Sequence, residues 1–191
     1  MAEELQVQVE PVDAYVFIDH VDPGANIRHV LDDLFAQEET VRFAAQTVGS
    51  FIGFAAVHTS TIDDLHRLMA GDYWSAGVHC KWSTIVIPGP LHPKIGSPPA
   101  CALVRIGTND KPVNVLSRLI DGFQEWVEPR HFGSAVVTGE YDILVSIGSD
   151  SFEEVATAIL GPLRDTEGVA STDTAFMALS EKNKRERVLK T

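Results

Sequence analysis

The chain has 191 residues, of which 45% are hydrophobic and 22% charged, a composition typical of a soluble globular protein. Its length suits one large domain or two small ones. No apolar run approaches the roughly 20 residues that a membrane-spanning helix needs, and the acidic N-terminus does not resemble a secretory signal. We therefore expect a cytoplasmic protein without membrane contact, whose two cysteines, Cys80 and Cys101, are reduced and buried.

The formal net charge of −12 is unevenly distributed along the chain. The final eleven residues, 181–191, carry five basic and two acidic side chains, which leaves −15 on the rest of the chain. A body with that charge repels the phosphate backbone of nucleic acids. We expect no direct nucleic-acid binding, and we interpret the basic tail as a solvated terminal segment.

The first half of the chain is predicted to contain four strands and two one-sided helices. The predicted strands are Ala14–Ile18, Val41–Thr47, Phe51–Val57 and Val78–Ile87. The middle two form a hairpin through Gly49 and Ser50. Apolar positions at helical spacing are Ile27, Val30, Leu31, Leu34 and Phe35 in the first helix, and Ile62, Leu65, His66 and Met69 in the second.

A stiff linker is predicted between the two halves. Residues 88–99 contain five prolines and two glycines, and so many prolines are incompatible with the interior of a helix or sheet.

The second half repeats the same order of elements. The predicted strands are Ala102–Ile106, Ser134–Val137, Tyr141–Ile147 and a final strand from Val169 to near Leu179. The predicted helix faces are Leu116, Leu119, Ile120 and Phe123, followed by Phe152, Val155, Ala156, Ile159, Leu160 and Leu163. Ser151 and Glu154 have the spacing of a capping box at the start of the last helix.

The two halves form an internal repeat. Their hairpins align at an offset of 90 residues, which places Gly49 on Gly139 and Phe51 on Tyr141. Each half reads β-α-β-β-α-β, the ferredoxin-like order, so the predicted fold class is α+β. We place the first repeat at 13–87, the linker at 88–99, the second repeat at 100–180 and the basic tail at 181–191. Each four-stranded sheet has one face without helices, and the two sheets can cover each other there.

The turn Thr138-Gly139-Glu140-Tyr141-Asp142 is the best candidate site. It resembles the Thr-Gly-x-Tyr-Asp turn of the effector-binding (RAM) domain of Lrp/AsnC-type regulators, and the first repeat resembles it more weakly. The resemblance implies two tandem domains packed as a dimeric α/β barrel, with this turn lining a small-molecule pocket. Backbone amides at Gly139 suit a carboxylate, Asp142 an ammonium group, Thr138 a hydrogen bond and Tyr141 an apolar contact.

A purely structural interpretation of the turn stays open. Gly139 would then only make the turn, Tyr141 would belong to the core, and Asp142 would form a strand-end salt bridge. The first-repeat turn, Gly49–Gly53, has Phe51 and Ile52 where the second has Tyr141 and Asp142, and we expect it to be a degenerate site.

The leading hypothesis for function is a stand-alone ligand-binding protein that senses an amino acid or related metabolite in transcriptional or metabolic regulation. Only thirteen residues precede Ala14, so we expect the helix-turn-helix domain of the family regulators to be absent. The protein would act as a homo-oligomer or through a DNA-binding regulator. This hypothesis needs no metal, no cofactor and no catalytic residue.

Two other function classes remain open. Chlorite dismutase-like and dye-decolourising peroxidase-like proteins also pair ferredoxin-like repeats and bind haem through a histidine, so an enzyme, either haem-dependent or a cofactor-free monooxygenase, is the alternative. His79 could face the space between the sheets and His66 the core side of its helix, but no histidine pair has the spacing of a helical metal site. Trp74, Trp82, Trp126 and Tyr73 could line a cavity or form plain core. A scaffold without a ligand is the third possibility.

Overall fold

The computed structural model contains eight strands and four helices in the parts of the chain that it describes. It describes residues 12–31, 41–69, 78–85, 100–123 and 131–177. The strands are β1 (Val12–Val21), β2 (Val41–Gly49), β3 (Gly53–Thr59), β4 (Val78–Ile85), β5 (Ala100–Thr108), β6 (His131–Gly139), β7 (Ile143–Ser149) and β8 (Val169–Met177). The helices are α1 (described over 27–31), α2 (Ile62–Met69), α3 (Pro112–Phe123) and α4 (Phe152–Ala158), which continues into a π-helical turn, Ile159–Leu163.

The strands form two antiparallel sheets that close into one barrel. The order is β4-β1-β3-β2 in the first half and β8-β5-β7-β6 in the second, the same order when each half is numbered separately. Pairing of β2 with β8 and of β4 with β6 joins the two sheets. Closure leaves no unpaired sheet edge among these strands. The predicted α+β fold of tandem ferredoxin-like repeats in a dimeric α/β-barrel arrangement is confirmed.

Two matching pairs of backbone hydrogen bonds at the hairpins reflect the internal repeat. The matching pairs are Thr47 N to Ile52 O with Val137 N to Asp142 O, and Ile52 N to Ile18 O with Asp142 N to Ile106 O. The hairpins therefore correspond at the predicted offset of 90, while β1 and β5 correspond at 88. Both hairpin turns use a glycine with positive φ, 142° at Gly49 and 137° at Gly139, a conformation that glycine adopts with little strain.

Alternation along the strands divides the apolar residues into three layers. One outer core lies between the first sheet and α1–α2, and a second lies between the other sheet and α3–α4. The barrel interior lies between them. Its buried members are Tyr15, Phe17, Ala45, Phe51, Phe54, Ala56, Leu103, Ala135, Val137, Leu144 and Ala175.

Several helix residues that were predicted to face the core are exposed. In α2 the buried residues are Leu65 and Leu68, whereas Ile62 and His66 are exposed, so His66 does not lie on the core side. Phe152 and Leu160 are also exposed. The π-helical turn explains the exposure of Leu160, because its wider hydrogen-bonded ring turns the side chains away from the directions that a regular 3.6-residue period predicts.

The capping box is confirmed, since Ser151 Oγ accepts from Glu154 N at 3.2 Å. The Glu154 carboxylate accepts a hydrogen bond from the Ser149 hydroxyl, and this bond is the main cause of the lowered pKa of Glu154. Among the helices of the described segments, none has the length and apolarity needed to cross a membrane. The linker 88–99 and the tail 181–191 lie outside the described residues, so the domain boundaries stay predictions.

Candidate functional site

The predicted ligand-binding turn connects β6 to β7 and has an exposed and a buried part. Thr138, Gly139 and Glu140 are exposed, whereas Tyr141 is buried and Asp142 half-buried. The turn therefore presents polar groups and backbone at the surface while its aromatic ring points into the barrel. The structure keeps the five residues in one turn but gives them different surroundings.

Asp142 has a structural partner at the end of β5. Its Oδ2 accepts hydrogen bonds from Thr108 N at 2.7 Å and from Thr108 Oγ1 at 3.1 Å. These bonds tie the turn to the neighbouring strand, and they are hydrogen bonds to a threonine rather than the strand-end salt bridge of the structural interpretation. The predicted contact of Asp142 with a ligand ammonium group stays a prediction.

Tyr141 reaches a carboxylate of β8. Its hydroxyl donates to Asp173 Oδ2 at 2.6 Å, and its ring lies 4.5 Å from the centre of the Arg105 guanidinium. Burial of the phenol, and next its hydrogen bond to Asp173, raise the pKa of Tyr141 above its ordinary value. Tyr141 therefore stays protonated and acts as a hydrogen-bond donor at any physiological pH.

Arg105 occupies the centre of this arrangement. Its side chain is only 2% exposed, and it forms ion pairs with Asp19 Oδ1 at 3.0 Å and Asp173 Oδ2 at 3.1 Å. The two carboxylates are more accessible, at 22% for Asp19 and 42% for Asp173. Asp19 belongs to the first repeat and Asp173 to the second, so one guanidinium links both repeats. We refer to Arg105, Asp19, Asp173 and Tyr141 as the Arg105 cluster.

Aromatic rings from both repeats surround the same guanidinium. Phe17 of β1 lies 5.2 Å from it and Phe51 of the first turn 4.6 Å, ring centre to Cζ. Cation–π contacts at these distances favour a desolvated cation. Phe51 is the counterpart of Tyr141, so both hairpin turns converge on one charged group inside the barrel.

One donor of Arg105 has no acceptor. Among the buried side-chain polar atoms of the described residues, Nε of Arg105 makes no hydrogen bond. A buried donor without an acceptor is unfavourable by about 1–3 kcal/mol, and more for a charged group. Such groups are rare in native proteins and call for a physical explanation.

Sequence reasoning missed Arg105, Asp19 and Asp173. A signal for Arg105 was present, because it is a charged residue inside the apolar strand that runs from Ala102 to Ile106. The structural offset of 88 places it on Phe17. Its carboxylate partners lie 86 and 68 positions away in sequence, and no local pattern connects them.

Other predicted candidates lie away from this cluster or outside the described residues. His20, His29 and His66 are exposed and His58 is half-buried, whereas Trp74, Trp126 and Tyr73 lie outside the described residues, as do the side chains of His79, Trp82 and Cys80. Cys101 is buried and free, as predicted, and burial raises the pKa of its thiol to about 11. The described residues contain no group of three His, Cys, Asp or Glu that could hold a metal ion.

Comparison with known proteins gives structural likeness only. No protein-family model and no curated protein matches the chain. The solved structure of the siroheme decarboxylase NirDL superposes with a TM-score of 0.62 at 10% identity, covering 88% of this chain and 72% of that one. An anthrone oxidase-like protein gives 0.58 at 13% identity, covering 90% and 92%. A haem-binding protein from Thermus thermophilus gives 0.53 at 9% identity, covering 91% and 93%.

The regulator resemblance receives no support at this level. Escherichia coli AsnC superposes with a TM-score of only 0.36 at 14% identity, covering 50% of this chain and 61% of that one, which carries no argument. The stronger superpositions span nearly the whole chain, at identities that establish the fold and nothing finer. The chain therefore has the dimeric α/β-barrel fold, with both halves of the barrel supplied by one polypeptide.

Proposed function

We propose that this chain is a small-molecule-binding protein whose site is the barrel end where the two hairpin turns meet. The ligand is an amino acid or a related metabolite, held by the turn Thr138–Asp142 and the groups beneath it. The observation that carries the proposal is the convergence of both turns on the buried Arg105 guanidinium.

The chemistry of this barrel end suits a small polar ligand. Thr138 and Glu140 offer side-chain hydrogen-bonding groups at the surface, and Gly139 leaves the backbone accessible. Tyr141 and Arg105 lie immediately below. Binding sites commonly combine an apolar wall with a few oriented polar groups, and this end of the barrel offers both.

The proposed role is regulatory and of the Lrp/AsnC type, as the turn sequence suggests. Binding would be transmitted through a homo-oligomer or through contact with a DNA-binding regulator. The chain itself would make no nucleic-acid contact, because its net charge is −12. The tandem arrangement, with one polar and one apolar turn, gives one ligand site per chain.

A thermal-shift screen over the L-amino acids, their decarboxylated amines and their 2-oxo acids tests the proposal. A ligand present at a hundred times its Kd stabilises the folded state by about 2.7 kcal/mol, which is a readily measured rise in Tm. We expect at least one compound to raise Tm in a concentration-dependent manner. A flat response across the screen would remove the sensing hypothesis.

The second candidate is an enzyme of the same fold class, either haem-dependent or a cofactor-free monooxygenase. It is favoured by the names of the neighbouring structures, which include a siroheme decarboxylase and a haem-binding protein. Absorbance after incubation with haemin tests the haem-dependent form: a stable, stoichiometric Soret band favours that enzyme, and its absence removes the haem-dependent form alone.

A further inference from the structure

We propose that Asp173 is the carboxylate that recognises the ligand, and that it takes a protonated amine carried next to an oxygen acceptor. This inference rests on the proposed small-molecule site and names its ligand chemistry. Asp173 lies on β8, 31 positions beyond the turn that the sequence singles out.

Asp173 is an oriented carboxylate with one unused oxygen. Its Oδ2 accepts both the Tyr141 hydroxyl at 2.6 Å and Arg105 NH2 at 3.1 Å. Its Oδ1 makes no hydrogen bond within the described residues, and the side chain is 42% exposed. Two donors fixed on one oxygen hold the carboxylate in place, so the other oxygen is presented without the entropy cost of ordering a mobile side chain.

Asp142 is differently placed. Both described hydrogen bonds to its carboxylate come from Thr108, one of them from the backbone N–H, so this carboxylate serves the connection between turn and strand. Asp173, in contrast, contacts the guanidinium of Arg105 directly. Among the described residues, Arg105 is the one whose buried side chain has a donor without an acceptor.

The unsatisfied Nε of Arg105 is the second, independent observation. The two terminal nitrogens of the guanidinium already hold Asp19 and Asp173, so the side-on clamp by which arginine binds a carboxylate through two nitrogens is incomplete. The Nε atom keeps an N–H without an acceptor, and a single N–H suits a single oxygen. A ligand with an ammonium group and a neighbouring carboxylate, ester or amide oxygen would satisfy Asp173 Oδ1 and Arg105 Nε together.

The charge balance also favours an amine over a purely anionic ligand. Two carboxylates contact Arg105, and Glu140 acts on Tyr141 from the same turn as a further negative charge. An incoming anion without a cation would meet these three carboxylates at close range. An ammonium group next to Asp173 lowers that repulsion.

The test uses the L-amino acid that raises the Tm of the wild type most, with its N-acetyl derivative as a probe that lacks the cation. Calorimetric titration is performed on the full chain and on its Asp173→Asn and Asp110→Asn variants. Asp110 is a matched acidic control, because it pairs with Arg118 at the surface. A charge-assisted hydrogen bond corresponds to about a tenfold to hundredfold change in affinity.

We expect Asp173→Asn to weaken binding about tenfold to hundredfold and Asp110→Asn to bind as the wild type does. The N-acetyl derivative should leave the Tm of the wild type unchanged. If Asp173→Asn does not melt cooperatively, Asp173→Glu replaces it, since it keeps the charge beside Arg105 and displaces the carboxylate oxygens; the same loss is expected. Undiminished binding by the Asp173 variant, or by the N-acetyl probe, overturns this inference while the sensing function stands. If no compound of the screen raises the Tm of the wild type, the function and the inference both fall; if only amines or 2-oxo acids raise it, the inference falls and the sensing function stands.

Discussion

The two hairpin turns have the same backbone and opposite chemistry. Equivalent hydrogen bonds form both turns, and a positive-φ glycine occupies the same place in each. The side chains that differ are, first repeat against second, Phe17 against Arg105, Phe51 against Tyr141 and Ile52 against Asp142. At these positions the first repeat supplies apolar side chains and the second polar ones, although Asp19 of the first repeat also reaches Arg105. We call the two sets the apolar half and the polar half of the barrel end.

Our proposed ligand site gives the polar half a role beyond folding. The first repeat demonstrates that Phe and Ile fill the same backbone positions in a packed core. A buried ion pair contributes little net stability compared with apolar side chains of similar volume. Packing alone does not call for Arg105, whereas the proposed ligand site gives it a role.

The largest expected effect comes from Gly49, where the first hairpin turn packs against β8 and joins the two sheets. A Cβ on Gly49 would lie 2.4 Å from Thr174 O and 2.8 Å from Ala175 Cα, both backbone atoms. Gly49→Ala should lower the free energy of unfolding by about 3 kcal/mol or more, because overpacking adds to the strain of positive φ. Chemical denaturation measures it.

Gly24→Ala is the matched control, because Gly24 has a φ of 100° and its Cβ would meet nothing within 4 Å. It should be less stable than the wild type by about 1 kcal/mol, the cost of the backbone conformation alone. Equal losses in the two variants would mean that the contact between the first turn and β8 is not tight.

The second prediction removes the charge that distinguishes the polar half. Arg105→Met should lower the free energy of unfolding by about 2 kcal/mol, because Asp19 and Asp173 lose their shared partner. Their partial exposure keeps the loss below that of a fully buried pair. Arg118→Met, which breaks surface ion pairs with Asp110 and Glu167, should cost no more than about 1 kcal/mol. Denaturation at neutral pH compares them, and a smaller loss for Arg105→Met would show that the cluster does not link the repeats.

The smallest expected effect is a loss of stability at alkaline pH. The pKa of Tyr141 is raised from its ordinary value of 10.0, and that of Cys101 from 9.0 to about 11. Above pH 9 the unfolded chain releases these protons first, so stability falls as pH rises through that range. Tyr141→Phe removes one of the two groups, because phenylalanine does not titrate.

Unfolding midpoints between pH 7 and 10.5 should therefore fall less steeply in Tyr141→Phe than in the wild type. Parallel curves for the two proteins would mean that the phenol is not held protonated by its buried position.

Much of the fold could be predicted because it is encoded locally. Alternating apolar residues define the strands, Gly49 and Gly139 mark the hairpin turns, and Ser151 with Glu154 marks a helix start. Comparison of the halves then revealed the repeat. The helix faces were less predictable, since the π-helical turn at Ile159–Leu163 changes the period within one element.

The Arg105 cluster could not be predicted in the same way, because barrel closure assembles it. Arg105 lies 86 positions from Asp19, and Tyr141 lies 32 positions from Asp173. Composition and spacing say nothing about such distances. The turn motif contains Asp142, an acidic residue three positions after Gly139, whereas Asp173, which accepts the Tyr141 hydroxyl, lies on another strand.

The most direct test of a single polar ligand site is calorimetric titration of the most stabilising L-amino acid into Tyr141→Phe and Phe51→Leu. These variants alter equivalent positions of the two turns, and each should cost about 1 kcal/mol of stability. We expect Tyr141→Phe to weaken binding about tenfold, since Asp173 loses the donor that orients it, and Phe51→Leu to bind within a factor of about three of the wild type. Equal losses of affinity in both variants, or wild-type affinity in Tyr141→Phe, would contradict the assignment of the site to the second repeat.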